Sequence, residues 1–259
     1  MTPQSPADVD VSSTTEAGPP NLTGSALFQA RAAYLGKLIR ACELARPVES
    51  IRMVRAFRMV AKEKATGVDV PRLKTLWRLS RRIDEERVPG DIVECGVWNG
   101  GTAAVMALAS KRLDRHYWLY DSFAGFPKPG EKDVPDTADI REGEWKGSQP
   151  KVRRLFARLG IPEARTHITA GWFQDTLPRS PVKRIALLHL DADLYESVKL
   201  SLECFYDRVT PGGFIVLDDY GFWPGCRTAV DEFLSQRGVK VNLRVSDTTG
   251  RWFRKPLDG

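Results

Sequence analysis

The 259-residue chain reads as an α/β protein, with a mostly parallel sheet, one antiparallel closure and a helical region in front. Three features predict this. From Gly90 onward, short apolar runs alternate with helical stretches, as they do where parallel strands are joined by crossover helices. Before that point apolar residues recur at helical spacing instead. Near the end, two apolar segments flank Asp247-Thr248-Thr249-Gly250, the pattern of a hairpin.

Residues 1–24 are rich in Ser, Thr, Pro and Asp and hold few large apolar groups to offset the entropy of ordering, so a disordered tail is expected. Residues 25–88 form the helical region. Leu27, Ala30, Tyr34, Leu38 and Ala41 make one stripe in a helix over Ala26–Arg46 that Pro47 closes. Helices over Ile51–Ala65 and Pro71–Arg87 follow, with Pro71 at a first helical position.

Residues 89–259 form the sheet domain, with strands expected at Asp91–Cys95, Tyr117–Asp121, Thr166–Thr169, Ile185–Asp191 and Gly213–Asp218. Helices are expected over Thr102–Leu113, Pro150–Leu159, Leu194–Val209 and Arg227–Gln236, the third of them stopped by Pro211-Gly212-Gly213. Val239–Val245 and Trp252–Lys255 form the closing hairpin. Residues 124–147, rich in proline, glycine and acidic residues, are too long for a plain connection and read as a lid.

Four cysteines stand at no metal-ligand spacing, which suits a reducing compartment. No apolar run is long enough to span a membrane and the N-terminus has no secretory pattern, so a cytoplasmic location is expected. The net charge of +6 is unevenly placed: Ala26–Gly90 holds 15 Lys/Arg against 7 Asp/Glu, and the remainder is slightly acidic. A basic helical face reads as solvated surface or subunit contact rather than as a nucleic-acid site, and the extra helices suggest a homo-oligomer. An anionic substrate stays open.

Asp91-Ile92-Val93-Glu94-Cys95-Gly96-Val97-Trp98-Asn99-Gly100-Gly101-Thr102 is a strand, a glycine-containing turn and a helix start, an arrangement that brings backbone close to a nucleotide-like ligand. A dinucleotide fingerprint would need glycine where Trp98 stands, which disfavours NAD. Adenosylmethionine, cationic and without phosphate, suits Glu94 at the strand end, with Gly96 allowing close approach. Asp121, 25 residues beyond Gly96 and followed by Ser122, sits where a carboxylate can accept from both ribose hydroxyls. Trp172, after the third strand, offers an aromatic face to adenine.

The fourth strand ends in Asp191-Ala192-Asp193 and the fifth in Asp218-Asp219. In parallel neighbours these ends share one edge, so Asp191, Asp218 and Asp219 converge, and such crowding needs a proton or a metal. Oxygen ligands without Cys or a paired-histidine motif favour Mg²⁺. Plainer roles compete: Asp193 with Glu196 resembles a capping box, and Asp218 or Asp219 could open a turn. His189, inside the strand, reads as a hydrogen-bonded core residue rather than a base.

These segments, together with Asp121-Ser122-Phe123-Ala124-Gly125-Phe126-Pro127, Gly171-Trp172-Phe173-Gln174-Asp175-Thr176-Leu177-Pro178 and Pro211-Gly212-Gly213-Phe214-Ile215-Val216-Leu217-Asp218-Asp219-Tyr220, occur in family order. The chain thereby resembles the macrocin O-methyltransferase family, the TylF/MycF-type antibiotic sugar O-methyltransferases, from about Val88 to Leu234. The resemblance implies a class I Rossmann-like methyltransferase fold that binds S-adenosyl-L-methionine through the Glu94–Gly101 and Asp121–Gly125 segments. It also implies Mg²⁺ on Asp191, Asp218 and Asp219, Asp193 as general base, and Thr66 and Ser148 near the cofactor. The expected acceptor is a hydroxyl of a small molecule, a deoxysugar of a glycosylated antibiotic, with a catechol-like diol as the nearest alternative. A nucleic-acid-binding adaptor and a metal-dependent hydrolase are the rivals from other classes. The chain departs from the family at Asn99, where many relatives have Arg, and at Thr66-Gly67-Val68, a reduced form of a family segment.

Overall fold

A computed structural model of the protein describes residues 33–38, 47–133 and 140–257. The chain divides into two compact units, Met1–Gly36 and Lys37–Gly259. In the first, residues 33–36 are described and helical. The expected tail over 1–24, and most of the helix expected over Ala26–Arg46, lie outside the described residues.

The second unit opens with helix α1 (Pro47–Lys62), which buries Met53, Ala56, Phe57 and Val60 at intervals of three and four. Pro47, expected to close a preceding helix, opens this one, because a first-turn N–H has no helical partner to lose. Helix α2 (Val70–Glu85) is capped by the Asp69 side chain, which accepts from the Val70 N–H, and Pro71 follows in its first turn. The Trp77 indole N–H donates to Glu49 at 2.8 Å, tying α2 to α1.

Strands β1 (Asp91–Cys95), β2 (Tyr117–Asp121), β3 (Thr166–Ala170), β4 (Ile185–Leu190) and β5 (Val209–Leu217) pair in parallel; β7 (Arg251–Arg254) is antiparallel to β5, and β6 (Arg244–Val245) to β7. The sheet order is β3-β2-β1-β4-β5-β7-β6, which puts β1 and β4 at the centre, where β4 is buried along its whole length. The expected mostly parallel α/β fold with its closing hairpin is the one observed.

The helices between these strands are α3 (Gly101–Ala109), α4 (Gln149–Arg158), the single turn α5 (Phe173–Thr176), α6 (Tyr195–Phe205) and α7 (Pro224–Gln236). Helix α7 begins at Pro224, ahead of the expected Arg227, β6 is shorter than the expected Val239–Val245, and two expected helix ends fall four residues early. Helix α3 stops at Ala109 because Ser110 turns extended, and its hydroxyl and the Lys111 N–H both donate to Asp84. Helix α6 stops at Phe205, since Val209 is already paired with Ile185; Pro211-Gly212-Gly213 therefore lies inside β5 rather than ending the helix.

The stems of the insertion are fastened together: the Phe126 N–H donates to Glu144 O and the Gly143 N–H to Phe126 O, both at 2.9 Å. Between the stems Asp133 is buried, and its carboxylate accepts the Tyr195 N–H at the start of α6 at 2.8 Å.

At the end of β1 the chain bends at Gly96, with φ +86. A Cβ there would fall within the Asp191 carbonyl oxygen, so glycine is demanded twice, by the left-handed backbone and by the approach of the β4 end. Gly96→Ala is expected to lower stability in urea unfolding by more than the ~1–2 kcal/mol that left-handed backbone alone costs an L-residue. A smaller loss would mean that the two strand ends part readily.

Candidate active site

Beyond the C-terminal edge of the parallel strands lies a cavity of about 1480 Å³, the place where open α/β sheets bind ligands. Pockets for one drug-sized ligand run to about 1,000 Å³, so this one has room for two molecules side by side. Its wall combines the turn after β1, the α1–α2 connection, the insertion, the ends of β4 and β5, and Asp247–Thr249 from the hairpin.

Gly96, Asp121, Ser122, Thr66 and Trp172 line this cavity, as do Asp191, Asp193, Asp218 and Asp219. Glu94, Gly101 and Ser148 are not among the lining residues. Glu94 is fully buried, with one oxygen hydrogen-bonded to His189 Nδ1 at 2.7 Å and the other without a hydrogen-bond partner. Gly101 is packed against the α1–α2 connection: its N–H donates to Ala65 O at 2.9 Å, and a Cβ would stand 2.6 Å from that oxygen and from Thr66 Cβ. Its smallness is what lets Thr66 reach the wall. Ser148 caps α4, accepting from the Lys151 N–H.

Asp121 is already engaged. One oxygen accepts the N–H groups of Val97 and Trp98, each at 2.7 Å, and the other accepts the Phe123 N–H at 2.6 Å. It holds the turn after β1 in shape, and its second oxygen keeps capacity for one ligand hydroxyl. Ser122 holds the turn after β2 by accepting from the Ala124 N–H and donating to Gly125 O.

The β4–β5 register places Leu190 beside Leu217, so the acids that follow the two strands meet. Two groups form within 4.8 Å: His189, Asp191 and Asp218, and Asp191, Asp193 and Asp219. The trio expected from the sequence is therefore divided. Asp218 is shared between His189 Nε2 at 3.0 Å and an ion pair with Arg72, while Asp193 takes its place beside Asp191 and Asp219.

Burial and then mutual repulsion hold Asp191 and Asp219 well above the ordinary carboxylate range. Asp193 is raised to about 7, first by burial and then by nearby Asp218, against the lowering effect of its hydrogen bond from the Trp223 indole at 2.9 Å. One oxygen of Asp219 is buried without any partner. Burial alone would lower His189, but its bonds to Asp218 and Glu94 outweigh that and raise it to about 10. His189 is thus the hydrogen-bonded core residue expected, locked between two carboxylates.

Asp193 does not cap α6. The residue at the cap is Leu194, with no side-chain bond, and Asp133 supplies the acceptor instead. Asp193 has φ +55, as rare for an L-residue as the φ of +48 at Trp98 and +56 at Trp145, which also line the cavity. Three such residues on one wall mark a site whose backbone is held by its surroundings.

A profile of the family described as macrocin-O-methyltransferase (TylF) matches residues 50–255. The chain belongs to this family. It is 35% identical over 196 residues to 8-demethyl-8-(2,3-dimethoxy-alpha-L-rhamnosyl)-tetracenomycin-C 4'-O-methyltransferase of Streptomyces olivaceus, covering 73% of this chain and 75% of that one. It is 34% identical over 199 residues to mycinamicin III 3''-O-methyltransferase of Micromonospora griseorubida, covering 73% and 78%. Among solved structures, that of the O-methyltransferase NovP superposes with a TM-score of 0.69 at 33% identity, over 74% of this chain and 82% of the other. As a member of the macrocin-O-methyltransferase family the chain is an O-methyltransferase with the class I fold.

Two residues of the site left no sequence signal. Arg72 lies within a helix otherwise read for its apolar stripe, and Asp133 within a stretch of scattered acids. Asp133 also accepts the Gly130 N–H, and a side chain on Gly225 would collide with its carboxylate, so the insertion is seated against α6 and α7. Asp133→Ala is expected to lose about 1–2 kcal/mol by the removal of this cap. It should also hasten proteolytic cleavage within 124–147; cleavage at the wild-type rate would mean that the seat is made elsewhere.

Proposed function

We propose that the chain transfers a methyl group from S-adenosyl-L-methionine to a sugar hydroxyl of a glycosylated natural product, with a divalent cation at Asp191, Asp218 and Asp219 and Asp193 as base. The observation that carries this reading is the gathering of buried Asp218 and Asp219 with half-buried Asp191 and Asp193, in two groups that share Asp191, on one cavity large enough for donor and acceptor together. A relative named for a rhamnosyl-bearing substrate supports the choice of acceptor.

The electrostatics of the wall agree with it. Twelve Asp/Glu against three Lys/Arg line the cavity among the described residues, a surface that welcomes a sulfonium and repels phosphates. That balance speaks for an uncharged acceptor and against the polyanionic partner that the basic helices alone would suggest. Adenosylmethionine supplies the electrophilic methyl group. Gly96, Thr66, Ser122, Asp121 and Trp172 stand where it would be held, with the spare capacity of Asp121 available to a ribose hydroxyl.

Mg²⁺ fits the residues present: an orphaned, buried Asp219 oxygen and an all-oxygen set whose like charges raise one another. Bound there, it would lower the pKa of an acceptor hydroxyl and hold its place. Asp193 accepts the Trp223 N–H on one oxygen, which orients the other for a proton. Its pKa of about 7 belongs to the cation-free site; a cation on its neighbours would lower that value, so Asp193 would be ionised and able to take a proton at neutral pH. The insertion, whose Asp133 caps α6, supplies part of the cavity wall, and its closure over bound substrates would exclude water.

Asp193→Asn is expected to bind S-adenosylhomocysteine as the wild type does and to lose about 10²- to 10⁴-fold in kcat. Full turnover in that variant would leave Asp193 as no more than a partner of Trp223.

A second test uses pH. Carboxyls raised in the folded state bind protons that the unfolded chain has released, so the cation-free protein loses stability as pH climbs from the ordinary 3.8 through about 7. A cation binds only the ionised acids and restores what is lost. Added MgCl₂ should therefore raise the melting temperature more at pH 8 than at pH 5. A shift independent of pH would detach the cation from these acids.

A further inference from the structure

Arg72 is buried in the wall of the cavity, 6% exposed, and its guanidinium meets three partners from distant parts of the chain. One nitrogen pairs with Asp218. The other side of the fork holds Asp247, with Nε at 3.0 Å from one oxygen and Nη2 at 2.9 Å from the other, and Nη2 also donates to Thr249. Asp247 is fixed in turn by the N–H groups of Thr249 and Gly250 at 3.1 and 2.7 Å.

No salt bridge among the described residues joins a lysine or arginine to Asp191, Asp193 or Asp219. Among the described residues the carboxylate group thus has its one arginine ion pair at Asp218, while the same guanidinium acts on Asp193 and Asp219 through space, and the oxygen that Arg72 occupies is one a metal ligand would offer. Asp218's other oxygen is taken by His189.

We infer that Arg72 is a positioning residue for the cation site proposed above: it orients Asp218 and competes with a divalent cation for that carboxylate. Asp247 tempers the competition by neutralising part of the guanidinium charge. The inference rests on the metal reading of Asp191, Asp218 and Asp219. Its consequence is a site that releases its ion readily and whose affinity depends on α2 and the C-terminal hairpin.

The test is Mn²⁺ binding to the full chain, followed by the electron paramagnetic resonance signal of the free ion. Arg72→Met removes the competing charge and should bind Mn²⁺ on the order of tenfold more tightly, as expected for a unit charge removed from near a divalent ion in a partly shielded site. Asp247→Asn leaves Arg72 less neutralised and should bind it several-fold more weakly. Opposite movements support the inference, since a purely structural role would weaken both. Unchanged or weaker binding by Arg72→Met overturns it. Should that variant not fold, Arg72→Gln, which also removes the charge, takes its place with the same expected outcomes, and unchanged or tighter binding by Asp247→Asn overturns the inference too. A wild-type chain that binds no Mn²⁺ removes the metal reading itself, an outcome distinct from a wild type that binds and variants that move the wrong way.

Discussion

The site depends on negative charge concentrated where two parallel strands end. Because β4 and β5 run side by side in the same direction, Asp191 and Asp193 after one strand must share space with Asp218 and Asp219 after the other. Burial removes the water that would separate these charges, so the fold has to offset them in other ways. It does so with Arg72 and His189 on Asp218 and with raised proton affinity at Asp191, Asp193 and Asp219.

That constraint explains why the helical region is part of the site. Helix α2 contributes Arg72, and the connection before it contributes Thr66, held against Gly101 by a contact that only glycine permits. The hairpin contributes Asp247 and Thr249 as the far anchors of the same guanidinium. Elements from both ends of the methyltransferase unit therefore close on one charge cluster.

The insertion obeys a similar logic on the opposite side. Its stems are fastened by backbone bonds, and Asp133 takes the cap position of α6 that Asp193 leaves empty. Freed from capping, Asp193 is held in left-handed backbone with Trp223 on its carboxylate. A helix start without a local cap thus becomes both the seat of the insertion and the reason that an acid points into the cavity.

The sequence by itself determined the parallel sheet, the strand ends and the family. Alternating apolar runs report burial directly; Asp121 ends a strand, and Asp191, Asp218 and Asp219 each follow one within one or two residues. Tertiary structure alone decided what those acids meet. Arg72 and Asp218 lie 146 residues apart and Glu94 and His189 95, and no local pattern records a contact over such a distance. For the same reason the sequence does not show that Glu94 pairs with His189, that Gly101 packs on Ala65 and Thr66, or that Ser148 caps α4. Residue spacing along a strand reveals which edge a side chain reaches; whether it faces a ligand or a neighbour is settled by the packing of elements far away in the chain.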